Sequence, residues 1–90
     1  MERKRRGSSK TLHHRQGHEF QRINAKLAAR IRRLRKQQHW TIEKASEEFQ
    51  IEPSHVKRLE AGSANPTLAL LVSIATAFDL SLLELLGGSE

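Results

Sequence analysis

Four helix-start signals, Thr41, Pro53, Thr67 and Ser81, cut residues 41–90 into pieces too short for anything but small helices packed on one another. Thr41 follows His39-Trp40 and caps a helix of about two turns, whose buried side is Ile42, Ala45 and Phe49. Gln50 and Ile51 form a turn. Pro53 restarts the chain as a first-turn proline, where its missing N–H costs nothing, and Val56 and Leu59 mark the buried side of a second short helix ending near Glu60, before Ala61-Gly62. After the loop AGSANP, Thr67 caps a helix to about Phe78, and Ser81 caps a last one reaching Leu86 before Gly87-Gly88. Upstream, Phe20, Ile23, Leu27, Ile31 and Leu34 recur at spacings of three and four, which predicts a helix over residues 20–38 with that stripe on the core. The result is an all-α domain of five helices.

Residues 1–19 hold one large aliphatic side chain, Leu12, among many polar and charged ones, too little to offset the entropy of ordering the chain. They read as a flexible basic arm, followed by the domain at 20–87 and a short tail at 88–90. Charge divides the same way: residues 1–36 carry thirteen Lys/Arg against Glu2 and Glu19, a net of +11, while residues 37–90 carry three against eight acids, a net of −5. Such a basic segment attracts polyanions, whether nucleic acid or an anionic membrane surface. The basic face of the first helix, Arg22, Lys26, Arg30, Arg32, Arg33 and Lys36, either solvates the helix or lies along a DNA backbone.

Several classes are unfavoured. The chain has no cysteine, which removes disulfides, thiolate metal ligands and cysteine nucleophiles and fits a cytoplasmic, nucleoid-associated protein. No apolar run is long and uninterrupted enough for a membrane span, and no signal peptide is evident. No Cys or carboxylate pair stands at ligand spacing with His13, His14 and His18, which read as solvated histidines, so no metal and no cofactor are expected. No nucleophile, base and acid stand together, so no catalysis is expected.

Two short helices separated by a three-to-four-residue turn, behind a basic helix, describe a helix-turn-helix at 41–60. Over about residues 22–86 the chain resembles, without gaps, the phage-repressor family, often called the Cro or XRE family, with its lambda-repressor-like domain. The resemblance rests on Arg35, Thr41, Ala45, Ser46, Phe49, Val56, Leu59, Glu60, Gly62, Asn65-Pro66, Leu68, Leu71, Ile74, Ala75, Ser81, Leu82, Leu85 and Leu86. It implies a buried structural ion pair between Arg35 and Glu60. It places base-reading positions at Glu52, Pro53, Ser54, Lys57 and Arg58, and backbone contacts at Thr41, Ile42, His55, Ser63 and Asn65. Two positions depart from the family pattern. The Gln that follows the Thr cap is Ile42 here, which leaves only the backbone N–H to grip a phosphate. The turn Gly is Gln50, which requires either a left-handed non-glycine residue or an altered turn. Glu43, Glu47, Glu48 and Glu52 also make the motif locally acidic.

From Ala69 to Leu86 thirteen of eighteen residues are apolar, more than one core-facing stripe can use. Leu70, Leu83 and Leu86 are therefore expected at a dimer or partner interface. The expected function is a double-stranded-DNA-binding transcriptional regulator, a repressor acting as a homodimer on a palindromic operator, with Arg3, Lys4, Arg5 and Arg6 of the arm adding non-specific, salt-sensitive affinity. The alternative is a protein-interaction module of the same fold, an antitoxin or anti-regulator that uses the apolar C-terminal face.

Overall fold

A computed structural model describes the backbone of residues 2–88 and the side chains of residues 17–88. It is all-helical over those residues: α1 (Glu2–Gln37), α2 (Ile42–Phe49), α3 (Pro53–Ala61), α4 (Leu68–Ala77) and α5 (Leu82–Leu85). Thr41, Thr67 and Ser81 cap as their chemistry requires, each side-chain oxygen accepting from the backbone N–H three residues on. Ser81 also closes a capping box, since Glu84 Oε1 accepts from the Ser81 backbone N–H at 2.9 Å.

The helix ends share one device. At His39-Trp40, Gln50-Ile51, Gly62-Ser63, Asp79-Leu80 and Gly87-Gly88 the first residue turns left-handed, with φ of 60°, 62°, 74°, 59° and 95°. In each case the backbone N–H of the second residue reaches back to the carbonyl five residues earlier, as in Ile51 to Ser46 at 3.0 Å and Leu80 to Ala75 at 2.8 Å. Three of these left-handed residues are not glycine. At those three ends the following residue is Trp40, Ile51 or Leu80, each partly buried against the core, so the turn is held by an apolar plug that compensates for the strained φ.

Ile31, Phe49, Val56, Ile74 and Leu85 are fully buried, and together they draw on all five helices. Trp40 stacks on Phe78 with ring centroids 5.2 Å apart, and Phe49 meets Phe78 edge-on at 5.5 Å. This aromatic group joins the α1–α2 corner to the ends of α2 and α4.

Two expectations about α1 are corrected. Helical backbone begins at Glu2, not near Phe20, and so runs through the segment read as an arm. No proline interrupts residues 2–37, and adding turns to an existing helix avoids the nucleation penalty. The apolar stripe is also only partly internal. Leu27 and Ile31 are buried and Leu34 packs on the core, but Phe20 and Ile23 remain 45% and 46% exposed. At that end of α1 they line an open cleft with Pro66, Leu71 and Leu86, and the inward positions are taken by Asn24 and Ala28.

The strained turn at Gln50 yields a direct test. Gln50→Gly removes the Cβ penalty of a left-handed residue, and we expect a gain of about 1 kcal/mol in urea unfolding, with the slope unchanged. No gain would mean that the apolar plug at Ile51 holds the turn without strain.

Candidate nucleic-acid interface

On α3 the buried side is Val56 and Leu59, and Ser54, Lys57 and Arg58 are all exposed. At helical spacing these three form one stripe opposite the buried pair, on a helix of nine residues, about 13 Å long. A stripe of that size and polarity suits a major groove. Pro53 and His55 are half-buried at its edges. Glu52 is the exposed N-cap residue and makes no side-chain cap bond, so its carboxylate is uncommitted.

The stripe is aimed by a bidentate ion pair. Arg35 Nε donates to Glu60 Oε2 at 2.6 Å and Arg35 Nη2 to Glu60 Oε1 at 3.0 Å, with side-chain exposures of only 12% and 9%. The Glu60 hydrogen bond, assisted by its charge, raises the Arg35 pKa above its ordinary value, against the opposing effect of burial. The third donor, Nη1, reaches the Trp40 carbonyl at 2.8 Å. One guanidinium thus fixes three things: the end of α1, the corner that leads into Thr41, and the last turn of α3.

At the start of α2, Thr41 Oγ accepts from the Lys44 N–H at 3.0 Å, leaving its own O–H to donate outward. The Ile42 side chain packs on the core, so only its backbone N–H is offered at this helix start. Of the acids on α2, Glu48 is paired with Lys44 at 3.2 Å, while Glu43 and Glu47 are exposed.

Asn24 is a residue that the sequence reading passed over. It is buried on α1, and its Nδ2 donates to the carbonyls of Gly62 at 3.0 Å and Ala64 at 2.8 Å. These bonds clamp the loop that carries Ser63 and Asn65, both exposed, and Ser63 is further tied to α3 through its N–H to the Arg58 carbonyl at 3.0 Å. Gly62 fits this clamp because its left-handed φ needs no Cβ and its position lies close to α1, with Ala25 Cα and Ala28 Cβ 3.9 Å from where a Cβ would stand. The signal was available: a poor helix former in mid-helix, within one turn of buried Leu27 and Ala28.

Leu83 and Leu86 are exposed at the C-terminal end, whereas Leu70 is half-buried and packs on the core. The side chains of Arg3, Lys4, Arg5 and Arg6 lie outside the described residues. Among the described residues no three His, Asp or Glu groups are arranged to hold a metal, and no helix is long and apolar enough to cross a membrane.

This geometry is that of a helix-turn-helix, and the chain matches the helix-turn-helix family model HTH_3 over residues 31–85. It belongs to that family, and thereby to the DNA-binding regulators of transcription. A comparison with curated proteins gives no match. Among solved structures it is similar to the clp gene regulator ClgR from C. glutamicum, at 25% identity and a TM-score of 0.67 over 71% of this chain and 82% of that one. It is similar also to the restriction-modification controller protein C.AhdI from Aeromonas hydrophila, at 29% identity and a TM-score of 0.66 over 69% of this chain and 94% of that one. An HTH_3 family regulator from Vibrio cholerae, 20% identical, shares the fold with a TM-score of 0.68 over 73% of this chain and 37% of that one.

Two predictions test the supports. Glu60→Gln should lower stability by about 3 kcal/mol in urea unfolding, because the nearly buried guanidinium loses its counter-charge, and an apolar double replacement, Arg35→Met with Glu60→Leu, should recover most of it. Asn24→Ala should cost about 1–3 kcal/mol and speed hydrogen exchange at the Ser63 and Ala64 amides. Unchanged exchange there would show that the loop is held by α3 alone.

Proposed function

We propose that this protein is a sequence-specific regulator, a repressor, that binds a palindromic operator as a homodimer in the cytoplasm, in association with the nucleoid. The observation that carries the reading is the exposed stripe Ser54, Lys57 and Arg58, opposite a buried pair and braced by Arg35 and Glu60. In a major groove, Arg58 or Lys57 pairs with guanine O6 and N7, Ser54 donates or accepts, and Glu52 accepts from a cytosine amino group. Pro53 offers an apolar contact. Thr41, the Ile42 N–H, His55, Ser63 and Asn65 hold the phosphate backbone on either side and set the register without reading sequence. Arg3, Lys4, Arg5 and Arg6 add affinity that falls with salt.

The homodimer follows from size and surface. A domain this short buries a modest share of its surface, and exposed Leu83 and Leu86 supply an apolar face for a second copy. A two-fold through that face sets two recognition helices about 34 Å apart, one turn of the duplex. The titles of two similar proteins, a clp gene regulator and a restriction-modification controller, accord with this reading.

The test is a fluorescence-anisotropy titration of the whole chain against the duplex upstream of its own coding sequence and a scrambled duplex, across a salt series. Selective binding should survive near-physiological salt, and Arg58→Ala should erase about 1–3 kcal/mol of the discrimination. Neutralising Arg3 to Arg6 should weaken both duplexes alike and flatten the salt slope. Equal binding to both duplexes that disappears with salt would overturn the proposal.

A further inference from the structure

The cleft at the N-terminal end of the described part of α1 has none of the DNA-facing residues in its walls and shares Leu86 with the face proposed for a second copy. One part, about 230 Å³, has Phe20, Ile23, Leu27, Pro66, Leu71 and Leu86 in its walls, an almost wholly apolar lining relieved only by Asn24. A second part, about 500 Å³, shares Ile23, Leu27 and Leu86 with the first and is edged by Arg22, Lys26, Arg30 and Arg33. The two form one groove between α1 and the start of α4 and end of α5, with a greasy floor and a cationic rim.

The rim is short of counter-charge. Arg22 has an exposed partner in Glu19 at 2.6 Å, but no carboxylate of the described residues pairs with Lys26, Arg30 or Arg33. Arg30 Nε is buried with no acceptor. Three cations in a row with no carboxylate partner among the described residues favour a carboxylate laid along the rim. The spacings 22, 26, 30 and 33 put these cations in one line over about 16 Å of helix, the length of three turns.

We propose that this groove binds an acidic amphipathic helix of a partner protein, with leucine-like anchors in the apolar part and glutamates or aspartates on the rim. Charge selects this occupant over two others. A nucleic-acid backbone satisfies the cations but lays phosphates against Phe20, Ile23 and Leu86, which gain nothing from them. A second copy of this chain brings leucines with little acid: among the described residues its C-terminal face has Asp79 and Glu84, and the Glu84 carboxylate is already held by Ser81. Of its other exposed glutamates among the described residues, Glu19 stands on α1 and is paired with Arg22, and the rest stand on α2 and at the start of α3, beside the DNA-facing edge. The groove does not depend on the DNA reading, and its test is separate from it.

The experiment titrates the whole chain into a labelled synthetic helix of about sixteen residues, leucines on one face at helical spacing and glutamates on both flanks, beside the same helix with lysines for the glutamates. The glutamate peptide should bind at least about tenfold more tightly. Ile23→Asp should abolish binding, and the double variant Arg30→Glu with Arg33→Glu should reverse the preference toward the lysine peptide. Both variants should keep the wild-type circular dichroism and the wild-type preference for the upstream duplex over a scrambled one. Equal binding of the two peptides, or none, overturns the proposal. So does loss of duplex binding in the double variant, which would make the face a nucleic-acid surface. Dissociation of a dimer by Ile23→Asp in sedimentation equilibrium would assign the groove to a second copy and overturn it likewise.

Discussion

The exposed stripe of α3 and the cap at the start of α2 are both aimed by the Arg35 guanidinium. Its fork spends two donors on Glu60, in the last turn of α3, and a third on the Trp40 carbonyl, at the corner that starts α2. Without that contact the two motif helices would be related mainly by the apolar residues between them, which fix distance better than orientation. A planar bidentate pair adds the missing direction, because carboxylate and guanidinium must lie nearly edge to edge. The same residue that locks α3 therefore also places Thr41, so the stripe on α3 and the cap at α2 cannot drift independently.

The Trp40 carbonyl links this polar lock to the aromatic group. Trp40 stacks on Phe78 and meets Phe49 edge-on at 6.4 Å, so the backbone atom that Arg35 grips belongs to a residue that α2 and α4 already hold. Asn24 does the equivalent work just beyond the last turn of α3, where the Gly62 and Ala64 carbonyls converge on one amide. The recognition helix is thus fixed at its last turn by a charge and at its exit by an amide, both from α1. Its first turn has no such brace beyond Pro53 and the backbone bonds to the Glu52 carbonyl, from His55 at 2.9 Å and Val56 at 3.2 Å.

What was legible in the sequence was local. Thr41, Thr67, Ser81 and Pro53 mark helix starts because a hydroxyl or a fixed φ acts within three residues, and Gly62 and Gly87 mark stops for the same reason. The core positions on α2 and α3 follow from spacing alone, and the left-handed turn at Gln50 was one of two outcomes the departure from glycine allowed. What was not legible depended on residues distant in the chain. Asn24 is a clamp only because the loop at 62–64 passes it, and Trp40 is an anchor only because Phe78 arrives beneath it. The stripe through Phe20 and Ile23 has the same periodicity as Leu27 and Ile31, yet the domain ends before it can cover them. Periodicity states which face of a helix is apolar and is silent on how far a neighbour extends along it. The helical backbone before Phe20 was missed because composition measures what can be buried, while a helix already formed can lengthen without burial.

The charge distribution sets how these parts work together. The motif itself is acidic on α2, and Lys44 offsets only Glu48, so the field near the recognition stripe rests on Lys57 and Arg58 and on the basic residues supplied by α1. On the proposed reading, affinity and selectivity are carried by different segments: the stripe on α3 discriminates, and the basic residues of the arm attract. The line of cations from Arg22 to Arg33 borders an apolar groove, which phosphate does not need and a protein helix does. A small domain with exposed Phe20, Ile23 and Leu86 gathered at one cleft has surface left over after folding and after reading DNA. The cations Lys26, Arg30 and Arg33, with no carboxylate partner among the described residues, separate this cleft from a plain apolar patch.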